Sequence, residues 1–163
     1  MKLRQISFIN QFSGIMKNKN SKNKSRFVIQ EHHATRLHYD FRLEMPESEN
    51  SDKYVLKSWA VPKNISGEIG VKRLAIQVED HDVNYIDFEE VIEEGNYGVG
   101  EVKIWDSGNY ELASDKYDEK GELKEIVFTL NGKKLKGEYA LIKTKGFGSG
   151  KTKQKSWLVF RKK

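Results

Sequence analysis

Nine short runs rich in β-branched and aromatic residues, each bounded by turn-forming residues, constrain this chain more than any other feature. They are RFVIQ, HYDFRLEM, KYVLKSWAV, RLAIQVED, GEVKIW, GNYEL, EIVFTL, GEYALIK and SWLVFR. Such runs favour strands, and the Gly, Asn, Asp and Ser clusters between them favour turns. So many strands in one small domain expose many backbone edges, and closure into an antiparallel barrel removes them. The expectation is therefore an all-β fold, a barrel rather than an open sandwich. Asn131-Gly132 is the strongest hairpin signal, since both residues tolerate the positive φ of a type I′ turn. Helix is expected only as one or two short peripheral pieces, over residues 3–16 and 86–93. No repeat or second domain is visible. The chain divides into a basic arm, residues 1–25, and a barrel domain, residues 26–163.

Charge is unevenly distributed. Residues 1–26 hold seven Lys or Arg and no acid, residues 133–163 hold eleven and one acid, and the middle holds 11 basic and 23 acidic groups. Basic ends around an acidic body suit a polyanion binder, because each phosphate neutralised releases counterions. The KNKNSKNKS stretch reads as a flexible linker, and an amphipathic, acid-free start also fits a transit segment. The absence of cysteine excludes disulfides, thiolate metal sites and a cysteine nucleophile, so any metal must bind through His, Asp or Glu. No run approaches the roughly 20 apolar residues that span a bilayer, which makes a soluble, cytoplasmic monomer the expectation.

Three of the four histidines fall within seven residues of the stretch QEHHATRLHYDFRLEM. Strand alternation places His38, Asp40, Arg42 and Glu44 on one face and Tyr39, Phe41, Leu43 and Met45 on the other. One face is core and the other is chemistry. A turn through HATRL brings His32, which shares a face with Gln30, beside His38. Two imidazoles and a carboxylate would then converge, a ligand set for a divalent transition metal with open positions. In RLAIQVEDH the same alternation groups Arg73, Gln77, Glu79 and His81 as a second polar wall. GFGSGKT, at residues 146–152, lacks the spacing of a phosphate loop and reads as a hairpin loop. Trp59, Trp105 and Trp157 read as core.

These residues carry a resemblance. FVIQEHHATRLHYDFRLEM, LKSWAVPK, KRLAIQVEDHDVNYIDFE, GNYGVGEVKIWDSGNYE and SWLVFRKK, in order over residues 26–163, resemble the 3′-phosphoesterase domain of the DNA ligase D family and its stand-alone forms. The resemblance implies a manganese-dependent β-barrel enzyme of DNA repair. Such an enzyme removes 3′-terminal ribonucleosides and 3′-phosphates from DNA or DNA/RNA primer-template ends and leaves a 3′-OH. It implies His32, His38 and Asp40 as metal ligands and Arg42, His81 and Tyr85 as groups on the scissile phosphate. Lys63 and Arg73 are implied as further phosphate contacts, Arg73 chiefly for monoesters, and Glu79 as a supporting acid. A separate ligase or a Ku-like end-binding protein is the partner the resemblance offers. The chain departs from the family at His33, where aspartate is usual, at Glu31, and in the inserted PESENSD. The alternative from another class is a non-catalytic nucleic-acid-binding barrel.

The arm carries six Lys or Arg in residues 1–24. Removing it is expected to weaken DNA binding and flatten the slope of log K against log salt, by about 0.9 for each phosphate it no longer neutralises. A slope unchanged by the truncation would show that the arm touches no phosphate.

Overall fold

The computed structural model describes residues 25–90, 100–145 and 155–163. The expected helix over 3–16, the linker after it and the loop at 146–152 lie outside the described residues. Among the described residues eight strands form: β1 Arg26–His33, β2 Leu37–Pro46, β3 Tyr54–Val61, β4 Arg73–His81, β5 Glu101–Tyr117, β6 Leu123–Gly132, β7 Lys136–Lys143 and β8 Ser156–Arg161. Every pairing between them is antiparallel. They close in the order β1-β2-β3-β4-β8-β7-β6-β5, so each strand has a hydrogen-bonded neighbour on both sides. Eight strands enclose a bore that side chains can fill. Phe41, Leu43, Met45, Trp59, Phe128, Tyr139 and Trp157 fill it, all essentially without exposure.

Eight strands replace the nine expected because GEVKIW and GNYEL are one strand. The first half of β5 pairs with β1 and the second half with β6, and the strand passes from one neighbour to the other at Gly108-Asn109, which pair with both, just after Asp106. The Asp106 carboxylate is 3% exposed. It accepts backbone N–H groups from Lys133 and Lys134 at 2.8 and 3.1 Å and from Leu135 at 2.8 Å. A residue that reads locally as turn chemistry thus builds a turn elsewhere.

That turn corrects the hairpin reading. The hairpin joins β6 to β7 as expected, but Asn131 pairs with Lys136 and Gly132 N–H bonds the Leu135 carbonyl. The loop is therefore Lys133-Lys134, one step beyond the Asn-Gly pair, and neither Asn131 nor Gly132 has positive φ. Gly132 is required for space instead, because a Cβ there would run into the Asp106 carboxylate and lie 2.7 Å from Phe27 Cζ.

The expected helix over 86–93 is also displaced. A 3-10 helix spans Val83–Asp87, capped by Asp82, whose Oδ1 accepts from Asn84 N–H. Phe88 after it is extended, Glu90 bridges to Val102, and residues 91–93 lie outside the described residues. This helix packs on the outer wall of the barrel, where Ile86 joins Val28 and Leu56, with Tyr85 and Ile104 against them. A second, smaller core thus covers the outside of β1–β3.

Asp106→Ala strands the hairpin N–H groups and is expected to cost about 1–3 kcal/mol or more. Gly132→Ala should cost a similar amount through overpacking. Combining them should cost less than their sum, because the first change removes an atom the second collides with. Urea unfolding of the two single variants and the double variant checks this, and strict additivity would contradict the proximity of the two residues.

Candidate metal centre and phosphate site

The β1–β2 pairing builds the site. Its register sets His32 opposite His38, Gln30 opposite Asp40 and Val28 opposite Arg42, so the short Ala34–Arg36 loop does what the sequence requires of it. The two imidazole rings lie 4.8 Å apart, centroid to centroid. Asp40 reaches both: His32 Nδ1 is 3.2 Å from its Oδ2 and His38 Nε2 is 3.3 Å from its Oδ1. One ligand atom from each of the three residues lies within 4.8 Å of the others. Two imidazole nitrogens and a carboxylate at that spacing fit a divalent transition metal that keeps open positions.

Electrostatics prepare the carboxylate. Burial alone would raise the Asp40 pKa, but the His38 hydrogen bond and the nearby positive charge of Arg42, His38 and His32 outweigh it and hold the group below the usual carboxylate range. The reciprocal hydrogen bond to Asp40 is the main reason His38 is raised, against the opposing effect of its own burial. Asp40 is thus kept ionised, as a ligand must be.

Arg42 is a cation with 4% exposure, and burial lowers its pKa against the pull of Asp40. A buried charge persists only if its donors are used. Nε donates to Gln30 Oε1 at 2.6 Å and Nη1 to Ser58 Oγ at 2.8 Å. Nη2 is 3.6 Å from Asp40 Oδ2, and the guanidinium lies 4.9 Å from the Tyr85 ring centre. His81 completes the group, with Nδ1 3.2 Å from Arg42 Nη1 and its ring 4.8 Å from Tyr85.

His32, His38, Asp40, Arg42, His81 and Tyr85 are therefore brought together, on the outer wall of the barrel rather than in an open mouth. Lys63 and Arg73 meet each other, Arg73 Nη1 donating to the Lys63 carbonyl at 2.9 Å. They line a shallow recess with Pro62, Lys72 and Leu74, which His32, His38 and Asp40 do not line. Glu79 is exposed and contributes its backbone carbonyl, 3.1 Å from His81 Nδ1. Glu44, although on the Asp40 face, is taken by a two-point ion pair with Arg26 at 2.8 and 2.9 Å. His33 faces the other way and sits 2.8 Å from Glu31. The grouping of Gln77 with His81 is overturned: Gln77 accepts from the buried Trp157 Nε1 at 3.1 Å, whereas His81 lies on the outer wall, because a register shift separates them.

Two residues of the site lie beyond the expectation from sequence. Gln30, fully buried, grips Arg42 and also donates from Nε2 to the Tyr85 and Phe88 carbonyls at 3.2 and 3.1 Å, which ties the 3-10 helix to the guanidinium. The sequence does carry a signal for it, since it sits two residues before His32 on the same face. Ser58 has none, since only the β2–β3 register sets it opposite Arg42.

Fold and site together define a closed antiparallel barrel bearing a cluster that could hold a metal ion beside a buried guanidinium. The model of the DNA Ligase D 3′-phosphoesterase domain matches residues 30–143, and the chain belongs to that family. It is 45% identical over 148 residues to the multifunctional non-homologous end joining protein LigD of Mycolicibacterium smegmatis, covering 86% of this chain and 17% of that protein. It is 44% identical over 153 residues to the LigD of Pseudomonas aeruginosa, covering 93% and 16%. For the Mycobacterium bovis LigD the identity is 48% over 120 residues, covering 74% and 15%. The chain thus corresponds to under a fifth of the length of each of these relatives.

The adjacent histidines provide the sharpest test. By calorimetry, His32→Ala is expected to weaken manganese binding by at least about 10 to 100-fold, the loss typical of removing even an outer partner of a ligand. His33→Ala should remain within a few-fold of wild type. The reverse pattern would mean that the functional register is shifted by one residue.

Proposed function

We propose that this chain is a manganese-dependent phosphoesterase that processes 3′ ends in DNA repair, removing 3′-terminal ribonucleosides and 3′-phosphates from primer ends and leaving a 3′-OH. One observation carries the reading: His32, His38 and Asp40 converge within 4.8 Å, with the buried Arg42 guanidinium alongside Asp40, in a chain of the 3′-phosphoesterase family. When bound by those three residues, manganese would supply Lewis-acid neutralisation of a phosphoryl oxygen and a water of lowered pKa. The remaining work falls to the chain's own side chains.

Arg42 is held by Gln30 and Ser58, so its charge needs no reorganisation as negative charge grows on the phosphoryl oxygens, which is the condition under which such a group stabilises a transition state best. His81, fixed through Nδ1, donates a proton to the departing oxygen or a hydrogen bond to the phosphoryl group. The Tyr85 hydroxyl is raised in pKa mainly by burial, so it stays protonated and serves as a donor. Lys63 and Arg73 form a second basic group suited to the additional charge of a phosphomonoester, with Glu79 as a supporting acid. Water adds to phosphorus and the bond to the leaving oxygen breaks, so hydrolysis balances without a further reagent.

The substrate is a DNA or DNA/RNA primer-template 3′ end, and the working partner is a separate ligase or a Ku-like end-binding protein, by analogy with relatives named for non-homologous end joining. A soluble cytoplasmic monomer fits that task; among the described residues no helix is long and apolar enough to cross a membrane.

A primer-template ending in a single ribonucleotide is expected to lose it with manganese present and to be untouched after exhaustive chelation by EDTA. Arg73→Ala should reduce release of a terminal phosphate by about tenfold or more, as expected when one charge-assisted hydrogen bond is removed, and should reduce diester cleavage less. Absence of end shortening or phosphate release with every divalent metal would leave a nucleic-acid-binding barrel. Equal losses on both substrates would refute the role given to Arg73.

A further inference from the structure

Alternation along β4 does not account for the position of His81. Ala75 lies in the barrel core and Gln77 bonds the buried Trp157, so an unbroken ladder sends His81 inward with them. The ladder is broken. Ser58 pairs with Val78 whereas Leu56 pairs with His81, so two steps along β3 are matched by three along β4. The additional residue sits in a bulge at Glu79-Asp80, opposite Lys57. Ser58 faces Arg42 and Leu56 belongs to the outer core beneath the 3-10 helix. The bulge therefore moves His81 from the inner side of the wall to the outer one, beside Arg42.

Something must hold the bulge, because a slip back to regular pairing would put Asp80 opposite Leu56 and turn His81 inward. Lys57 is placed to do this. Its Nζ donates to Asp80 Oδ2 at 3.2 Å and to the Glu47 carbonyl at 2.8 Å, and its side chain is only 14% exposed. The bulge also supplies the Glu79 carbonyl, 3.1 Å from His81 Nδ1. That nitrogen either donates to the Glu79 carbonyl or accepts from Arg42, according to its tautomer, and either partner leaves Nε2 to meet a phosphoryl or leaving-group oxygen.

We propose that Lys57 and Asp80 are positioning residues, whose ion pair locks the Glu79-Asp80 bulge and so presents His81 to the phosphate. The catalytic part of this inference rests on the phosphoesterase reading; the structural part does not. The pair is partly exposed, so its loss should cost little global stability.

The test uses the full chain and three variants: Lys57→Met, Asp80→Asn and Lys57→Arg. Turnover of a primer ending in one ribonucleotide is measured with manganese, alongside manganese affinity by calorimetry and the nitrogen-15 resonances of the His81 ring. Lys57→Met is expected to lower kcat by about 10 to 100-fold, less than the roughly 10²–10⁴-fold that a positioned acid–base group contributes in full. KM and manganese affinity should stay within about threefold, and the His81 Nδ1 resonance should shift. Asp80→Asn keeps the shape and should show the same effects to a smaller degree, and Lys57→Arg, which retains charge and donors, should restore wild-type behaviour. Wild-type kcat together with an unshifted His81 resonance in Lys57→Met and Asp80→Asn overturns the proposal, as does a failure of Lys57→Arg to restore them. If wild type itself cleaves nothing, the phosphoesterase reading fails, and the His81 resonances still decide the bulge.

Discussion

The pairing of β1 with β2 is the constraint on which the rest depends. It sets His32 opposite His38 and Gln30 opposite Asp40, and because side chains alternate with a period of two, a slip of one residue would exchange core and site at once. Phe41, Leu43 and Met45 point into the bore while Asp40 and Arg42 point away from it. The apolar residues resist such a slip because each is worth about 1.5–3 kcal/mol when buried. The candidate metal ligands are therefore aligned by the hydrophobic core behind them rather than by their attraction to one another.

Arg42 shows how a charge is tolerated on such a wall. The 3-10 helix closes over it, using Ile86 to bury Val28 and Leu56, and a guanidinium removed from water in this way must be paired. Gln30, Ser58, Asp40 and the Tyr85 ring provide the pairing. Gln30 does more, because its amide also holds the carbonyls of Tyr85 and Phe88. One side chain thus couples the position of the helix to the direction of the guanidinium, so the cover and the Arg42 cluster are a single unit.

Irregular pairing shapes what surrounds that unit. Register shifts occur between β1 and β5 next to Gln30, and between β3 and β4 next to His81. The first lets Gln30 pair with Ile104 while Ile29 pairs with Asp106, so Trp105 is the additional residue; its ring packs against the barrel core and lies 6.3 Å from Tyr39. The second carries His81 across the wall. Bulges bend a strand and re-aim side chains where a regular ladder cannot, and both lie at the edges of the candidate site.

The sequence by itself determined the class of fold, the strand faces of β2, and the convergence of His32, His38 and Asp40, because these depend on composition and on a period of two within one hairpin. His32, His38, Asp40 and Arg42 are close in the chain, and alternation alone sorts them. What the tertiary structure decided lies across strand boundaries: that His81 faces outward, that Ser58 meets Arg42, that Asp106 builds the turn at Lys133-Lys134, and that Lys63 and Arg73 form a group of their own. Each depends on which strands are neighbours and on where one residue is added to a ladder. Pairing energies are shared over many weak contacts, and a bulge costs one local hydrogen bond against the packing of the whole wall, so no local residue pattern reveals it. The register is chosen where the barrel closes, and only closure makes distant residues neighbours.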